Sequence, residues 1–182
     1  MKAIVQTRYG SPDDLELREV DPPAVRAAEV LVRVRAASLH PDVWHVVTGR
    51  PYVLRAMGAG LFKPTKPIPG TDMAGVVESI GKDVKRFQPG DAVFGQTIGT
   101  HQWTNGGAFA EYVSVQRPLR PHLRRARESP ACRLAMAVLA ELLEAGKVTP
   151  MIDSTYPLSE AREAFRHLVE DELRGKVIIT TA

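Results

Sequence analysis

Glu29-Val-Leu-Val-Arg-Val-Arg35 sets the fold class. Val30, Val32 and Val34 alternate with Leu31, Arg33 and Arg35, and a period of two puts the valines on one face of a β-strand and a mostly polar set on the other. The alternation predicts a half-buried strand over Glu29 to Ala37. Before it come two further runs rich in Val, Leu and Ile, Lys2 to Gln6 and Leu15 to Val20. Tyr9-Gly-Ser-Pro-Asp-Asp14 and Asp21-Pro-Pro23 separate them as turn material, which predicts antiparallel pairing. After it, Pro41 suits a first helical position and Asp42 the positive end of a helix dipole, so Pro41 to Val47 is read as a short helix stopped at Gly49. A loop heavy in Gly, Pro and Lys follows from Arg50 to Pro69, the kind of segment on which ligand sites often lie.

Further along, Met73 to Ile80 reads as a strand, Gly81-Lys-Asp83 as a turn, Ala92 to Gly95 as a short strand, and Gly107 to Val115 as the strand that closes the β-rich block. The character then changes. Ala131 to Ala145 carries Leu134, Val138, Leu139, Leu142 and Leu143 at helical spacing and ends at Gly146. Cys132, Ala135 and Met136 widen that stripe until little of the helix is polar, so it wants cover on more than one side. Thr149 to Asp153 reads as a strand, Ser159 as the N-cap of a helix running to about Asp171, and Gly175 to Thr180 as a final strand. The fold class expected from these elements is mainly β with α, an α+β domain.

Composition narrows the function classes. The 182 residues are 44% hydrophobic, enough for one good core and too few for two full-sized domains. The formal charge of +3 is local: five arginines (117, 120, 124, 125 and 127) lie within Gln116 to Arg127, a stretch with no acid. Outside it, the remaining 19 basic residues are outnumbered by the 21 acidic ones. Two prolines break that stretch and no aromatics interleave it, so a solvated linker is expected rather than a nucleic-acid or anionic-membrane site. A single cysteine, Cys132, excludes an internal disulfide and a CxxC zinc site and suits a reducing cytoplasm. No apolar run approaches the roughly 18 residues needed to span a bilayer, and the start, Met-Lys-Ala-Ile-Val-Gln, reads directly as a strand, so no targeting or membrane signal is expected.

Several stretches taken together resemble the medium-chain dehydrogenase/reductase superfamily, and within it the zinc-free quinone oxidoreductase-like branch. They are Met1-Lys-Ala-Ile-Val with Tyr9-Gly-Ser-Pro, Glu29-Val-Leu-Val-Arg-Val, Ala37-Ser-Leu-His-Pro-Asp-Val-Trp44, Pro69-Gly-Thr-Asp-Met-Ala-Gly-Val-Val77, Phe87-Gln-Pro-Gly-Asp-Ala-Val-Phe-Gly95 and Gly106-Gly-Ala-Phe-Ala-Glu-Tyr-Val113. Leu143-Glu-Ala-Gly-Lys-Val-Thr-Pro150, Tyr156-Pro-Leu-Ser-Glu-Ala161 and Gly175-Lys-Val-Ile-Ile179 continue the likeness in the tail. The resemblance implies a GroES-like β-barrel catalytic domain over 1–115, a linker over 116–130 where the family places its Rossmann nucleotide-binding domain, and a C-terminal return over 131–182. About a dozen residues from Val115 to Pro130 cannot hold a domain that needs on the order of 100 or more. Gly58-Ala-Gly-Leu-Phe-Lys63 has G-x-G but no third glycine and no strand before it, so it is no dinucleotide fingerprint. No cofactor-binding residue and no bound NADPH are expected.

The same resemblance singles out site residues. The position matching His40 is a cysteine ligand in the zinc-dependent alcohol dehydrogenases and an asparagine in the quinone reductase branch, while their Gly-His-Glu motif matches Gly70-Thr71-Asp72. One imidazole and one carboxylate remain where a catalytic zinc takes three protein ligands, so no metal is expected. An imidazole titrates near neutrality and can exchange a proton with a carbonyl or enol, which makes His40 the first acid/base candidate; Asp72, placed before a strand where its side chain can face the cleft, is the second catalytic candidate. The plainer alternatives are a His40 satisfied by Asp42 or a backbone carbonyl, and an Asp72 used in capping or a turn. Tyr52, Thr71 and His45 are expected to line a substrate pocket, with Trp103 and Asn105 as a further wall. The expected ligand is an enone, quinone or polyketide-like small molecule, handled by isomerisation or cyclisation without a resident cofactor; the alternatives are a non-catalytic ligand-binding or dimerising module and an NADPH-dependent quinone or enone reductase that holds its cofactor in an unusual way. A homodimer that covers the exposed barrel face is the expected assembly, with or without such chemistry.

Overall fold

The computed structural model describes residues 1–97, 106–116, 123–124 and 145–181. Among them the Glu29 stretch is the axis of the fold. It forms β3, Glu29–Leu39, eleven residues long, or roughly 36 Å at the rise of an extended strand. That length lets three strands share it. β4, Asp72–Ile80, runs antiparallel along one edge from Val30 to Ser38. The other edge is divided: β6, Tyr112–Gln116, pairs with Glu29 to Arg33, and β9, Lys176–Thr180, pairs with Ala36 to Leu39. Residues from before the basic stretch and from the tail thus complete one sheet around the same strand.

β5, Ala92–Gln96, lies outside β4, and the two-residue β7, Leu123–Arg124, lies on β5. β8, Ile152–Pro157, is parallel to β9. A separate antiparallel pair is formed by β1, Lys2–Gln6, and β2, Leu15–Glu19, joined through a capping-box turn at Ser11. Two helices complete the described residues, α1, Pro41–Thr48, and α2, Ala161–Glu170. The α+β class read from the sequence is the observed one.

The valine face of β3 makes the core: Val30, Val32, Val34, Ala37 and Leu39 are all buried. Phe109 and Phe165 meet edge to face beneath it, ring centroids 5.9 Å apart, both fully buried. Phe165 comes from α2, whose Ala161 and Ala164 let the helix approach closely. Truncating such a ring costs about 3–5 kcal/mol, so α2 is an integral part of the core.

Several boundaries differ from the sequence reading. The strand expected over Gly107 to Val115 begins only at Tyr112. Gly106, Ala108 and Phe109 instead give their N–H groups to the carbonyls of Gly70 and Pro69, which folds that segment under β4 rather than along β3. The strand expected over Thr149 to Asp153 runs from Ile152 to Pro157, because its position is set by β9 beside it. Ser159 is not an N-cap: it lies inside a 3-10 turn, Leu158–Glu160, and α2 starts after Glu160 with no side-chain cap. The loop from Arg50 to Pro69 contains a π-helical turn, Arg55–Ala59. Part of the basic stretch is sheet rather than linker, since Gln116 ends β6 and Leu123–Arg124 forms β7. Residues 131–144 of the expected apolar helix, Cys132 included, lie outside the described residues. Among the described residues, no helix is long and apolar enough to cross a membrane.

Candidate functional site

Antiparallel pairing of β3 and β4 places the C-terminal end of one beside the N-terminal end of the other, with Ser38 opposite Asp72. His40, just past β3, therefore meets Thr71 and Asp72 at the start of β4, although 31 residues separate His40 from Thr71. His40 occupies the N-cap position of α1 in an extended conformation and makes no side-chain cap. Its ring is free to turn toward β4. Nε2 lies 2.9 Å from Thr71 Oγ1 and 3.4 Å from Asp72 Oδ2; Nδ1 lies 3.8 Å from Asp42 Oδ2. The His40 side chain is 16% exposed, so one edge of the ring still meets solvent.

Backbone geometry fixes the partners. Gly70 has φ +87°, a conformation that favours glycine. A β-carbon there would stand 2.5 Å from the Phe109 ring. Thr71 is buried, and its carbonyl accepts hydrogen bonds from Thr97 N at 2.7 Å and Thr97 Oγ1 at 3.1 Å. The hydroxyl facing His40 is thus mounted on a rigid corner.

At the other end of α1 lies a second feature, an open cavity of about 680 Å³ whose walls include Tyr9, Trp44, His45, Arg50, Tyr52 and Arg55. The buried Gln6 side-chain amide donates to Val47 O at 2.6 Å and Arg8 O at 2.9 Å, holding this end of α1 on β1. Arg55 reaches back to the helix terminus, with Nε donating to Gly49 O at 2.9 Å and Nη2 to Thr48 O at 3.4 Å. These are carbonyls a helix end leaves without partners, and a cation suits the negative end of the dipole. The Arg55 guanidinium carbon is 4.3 Å from the Tyr9 ring centre and 4.8 Å from that of Tyr52, and Arg50 stands 5.9 Å over Tyr52. Tyr9 donates its hydroxyl to Gly60 O at 2.7 Å; burial raises its pKa, and the charge of Arg55 partly opposes the shift. His45 Nδ1 is 3.0 Å from Arg50 O.

The residues singled out in the sequence therefore divide. His40, Thr71 and Asp72 converge, whereas His45 and Tyr52 line the cavity, roughly 7 Å further along the α1 axis at 1.5 Å per residue. Asp72 is the first residue of β4, and on the far side it also lines a smaller apolar groove with Ala36, Ala74 and Phe94. Trp103 and Asn105 lie outside the described residues. Sequence reasoning missed Tyr9, Arg50 and Arg55, and it missed a clamp on His167, whose ring nitrogens lie 2.6 Å from Asp153 and Asp171. The i, i+4 spacing of His167 and Asp171 was the one signal for the latter.

Two groups that the fold implies can be tested against these donors. Among the described residues no three His, Cys, Asp or Glu side chains gather to hold a metal; with Thr71 in the second ligand position, His40 and Asp72 alone do not fit a three-ligand zinc. The nucleotide's pyrophosphate needs a glycine-rich turn between a strand and a helix N-terminus, and the Gly58–Lys63 segment instead contributes to the π turn Arg55–Ala59, with no strand before it.

Known proteins agree with the fold. Residues 26–120 match the family described as alcohol dehydrogenase GroES-like domain, just over half of the chain. A quinone-oxidoreductase homolog of Spinacia oleracea chloroplasts is 38% identical over 120 residues, 65% of this chain and 33% of that protein. A 2-methylene-furan-3-one reductase of Solanum lycopersicum is 33% identical over 153 residues, 79% of this chain and 37% of the relative. The chain thus spans about a third of the length of these curated relatives. Among solved structures, the quinone oxidoreductase from Coxiella burnetii superposes with a TM-score of 0.55 at 25% identity, over 86% of this chain and 48% of that one. An NAD-dependent alcohol dehydrogenase superposes along the whole of both chains with a TM-score of 0.76 at 15% identity, a likeness of fold alone. The chain belongs to the alcohol dehydrogenase GroES-like domain family.

Proposed function

We propose that this chain is a ligand-binding barrel for an enone, quinone or polyketide-like molecule, and that His40 exchanges a proton with the ligand's carbonyl or enol form, taking it from the carbon next to the carbonyl as the enolate forms and returning it to that carbon or a conjugated one. The single observation that carries the reading is the 2.9 Å approach of His40 Nε2 to the Thr71 hydroxyl, with Asp72 3.4 Å away. A ring nitrogen within reach of a buried hydroxyl and a carboxylate can accept a proton and return it, which is what isomerisation or cyclisation of a conjugated ketone requires. Tyr52, His45 and Thr71 are the substrate contacts of this reading, and Asp72 orients the imidazole. Relatives named for a quinone and for a methylene-furanone support the ligand class. Residues 1–182 act as one domain in this scheme, in a reducing cytoplasm, and any reduction would draw its cofactor from a partner.

The test follows proton chemistry directly. Solvent deuterium uptake at the carbon next to an enone carbonyl, read by NMR, is expected with the native chain and is expected to fall about 10²–10⁴-fold in His40→Asn. An unchanged rate removes His40 from the chemistry. Incubation with NADPH and quinones is expected to give no robust turnover; turnover with micromolar NADPH affinity overturns the cofactor-independent reading.

A second reading is favoured by a different observation. Tyr52, Val53, Met57, Leu61 and Phe62 are all exposed within eleven residues, Phe62 at 91%. Exposed apolar side chains so close together suit an interaction surface, and self-association would cover them. Light scattering is then expected to report a dimer at tens of micromolar, and a clean monomer counts against it.

A further inference from the structure

We infer that the cavity at the C-terminal end of α1 selects a planar anion, a conjugated ligand carrying an ionised hydroxyl or carboxylate, over its neutral counterpart. This deepens the proposed function and rests on its premise that the barrel binds conjugated carbonyl compounds. The size is suitable: about 680 Å³ lies within the usual range for small-molecule sites. The walls supply flat apolar surface from Trp44, Tyr52 and Tyr9, on which a ring can stack.

Charge decides the selectivity. Arg50 and Arg55 both line the cavity, and among the described residues no carboxylate pairs with either. The acids that follow the lining residue Ser11 are already engaged, Asp13 with Arg166 and Asp14 with Arg8. Among the described residues, the cavity lining contains no Asp or Glu. Arg55 is held in place by the Gly49 and Thr48 carbonyls and by the faces of Tyr9 and Tyr52. Tyrosine faces steady a cation without neutralising it. Arg50, by contrast, spends none of its guanidinium hydrogens on a carbonyl or a carboxylate among the described residues and stands 5.9 Å over the Tyr52 ring. A planar ligand on Tyr52 would bring an anionic substituent beside Arg50, whose fork of donors matches a carboxylate or enolate. A neutral ligand of the same shape stacks equally well and leaves both cations without a counter-charge.

The experiment is isothermal titration of the full chain with 2-hydroxy-1,4-naphthoquinone, which is ionised at neutral pH, and with neutral 1,4-naphthoquinone. The anion is expected to bind about tenfold or more tightly, as charge-assisted hydrogen bonds allow. Arg50→Gln is expected to lower that ratio about threefold or more while changing the neutral ligand's affinity less than about threefold, and far-ultraviolet circular dichroism checks its fold. Raising the salt is expected to weaken the anion alone. Equal binding of the two ligands, or a preference that survives both Arg50→Gln and added salt, overturns the charge selectivity and leaves the binding barrel standing. Failure of both to bind overturns the selectivity and its premise together.

Discussion

His40 and His167 each stand between two aspartates, at opposite ends of the two helices and with opposite consequences. At the last turn of α2, His167 Nε2 is 2.6 Å from Asp153 Oδ2 and Nδ1 is 2.6 Å from Asp171 Oδ2. Asp153 also accepts from Arg174 N at 2.9 Å. Both nitrogens are committed, and the ring joins α2 to β8 and to the turn before β9. The Asp153 hydrogen bond, and then that of Asp171, raises the His167 pKa; the same bond, helped by Arg174 N, lowers that of Asp153. At the first turn of α1, His40 faces carboxylates among the described residues only at 3.4 and 3.8 Å and has one close partner there, a hydroxyl. The same residue types thus give a staple in one region and, in the other, a ring engaged at one nitrogen by a hydroxyl. Distance, more than composition, separates a histidine that holds from one that can exchange.

The most severe way to break the His40 end is Gly70→Ala. The backbone there has φ +87°, and the new β-carbon would meet the buried Phe109 ring at 2.5 Å. Backbone strain and overpacking each cost about 1–3 kcal/mol. Urea unfolding is expected to show a loss of about 2–5 kcal/mol, with deuterium uptake falling as Thr71 leaves its corner. A variant that unfolds like the native chain would show that Gly70 is not what positions Thr71.

The staple itself is sharpened by pH. A raised histidine pKa in the folded state gives stability that is complete below the unfolded value, ordinarily about 6.5, and is lost as pH rises through the folded value. For Asp153, lowered on folding, the contribution is present above about 3.9 and is lost as pH falls through the folded value. The staple is therefore strongest between about pH 4 and 6.5. Melting temperatures of the native chain and His167→Asn are expected to differ by a few degrees near pH 5–6, and the gap is expected to shrink toward pH 9. A gap that widens with pH contradicts the ion-pair account.

Local rules explain what could be read in advance. β3 was legible because its valines alternate, and α1 because Pro41 and Gly49 mark its ends; Gly49 adopts φ 62° as a helix stop does. The π turn Arg55–Ala59 was not, because its shape depends on Arg55 reaching Gly49 and on Tyr9, which arrives from the turn after β1. The meeting of His40 with Thr71 and Asp72 came through resemblance and not through spacing, since it depends on the register that sets Ser38 opposite Asp72. The strand expected over Thr149 to Asp153 starts three residues ahead of β8, and nothing in the sequence links Asp153, a strand residue in both, to His167; parallel pairing with β9 decides its position.

The gentlest test asks which aspartate orients His40. Asp42 Oδ2 is 3.8 Å from Nδ1 with its side chain 63% exposed, whereas Asp72 is 32% exposed and 3.4 Å from Nε2. A separation of 3.8 Å is too long for a hydrogen bond, and an exposed ion pair is worth at most about 1 kcal/mol. What Asp42 does supply is a negative charge in the first turn of α1, worth about 0.3–1 kcal/mol against the helix dipole. Asp42→Asn is therefore expected to cost about 0.5 kcal/mol in urea unfolding and to change deuterium uptake less than about threefold, with Asp72→Asn reducing uptake more. If Asp42→Asn instead matches the loss in His40→Asn, the ring is oriented from α1 and not from β4, and the working face of His40 is the opposite one.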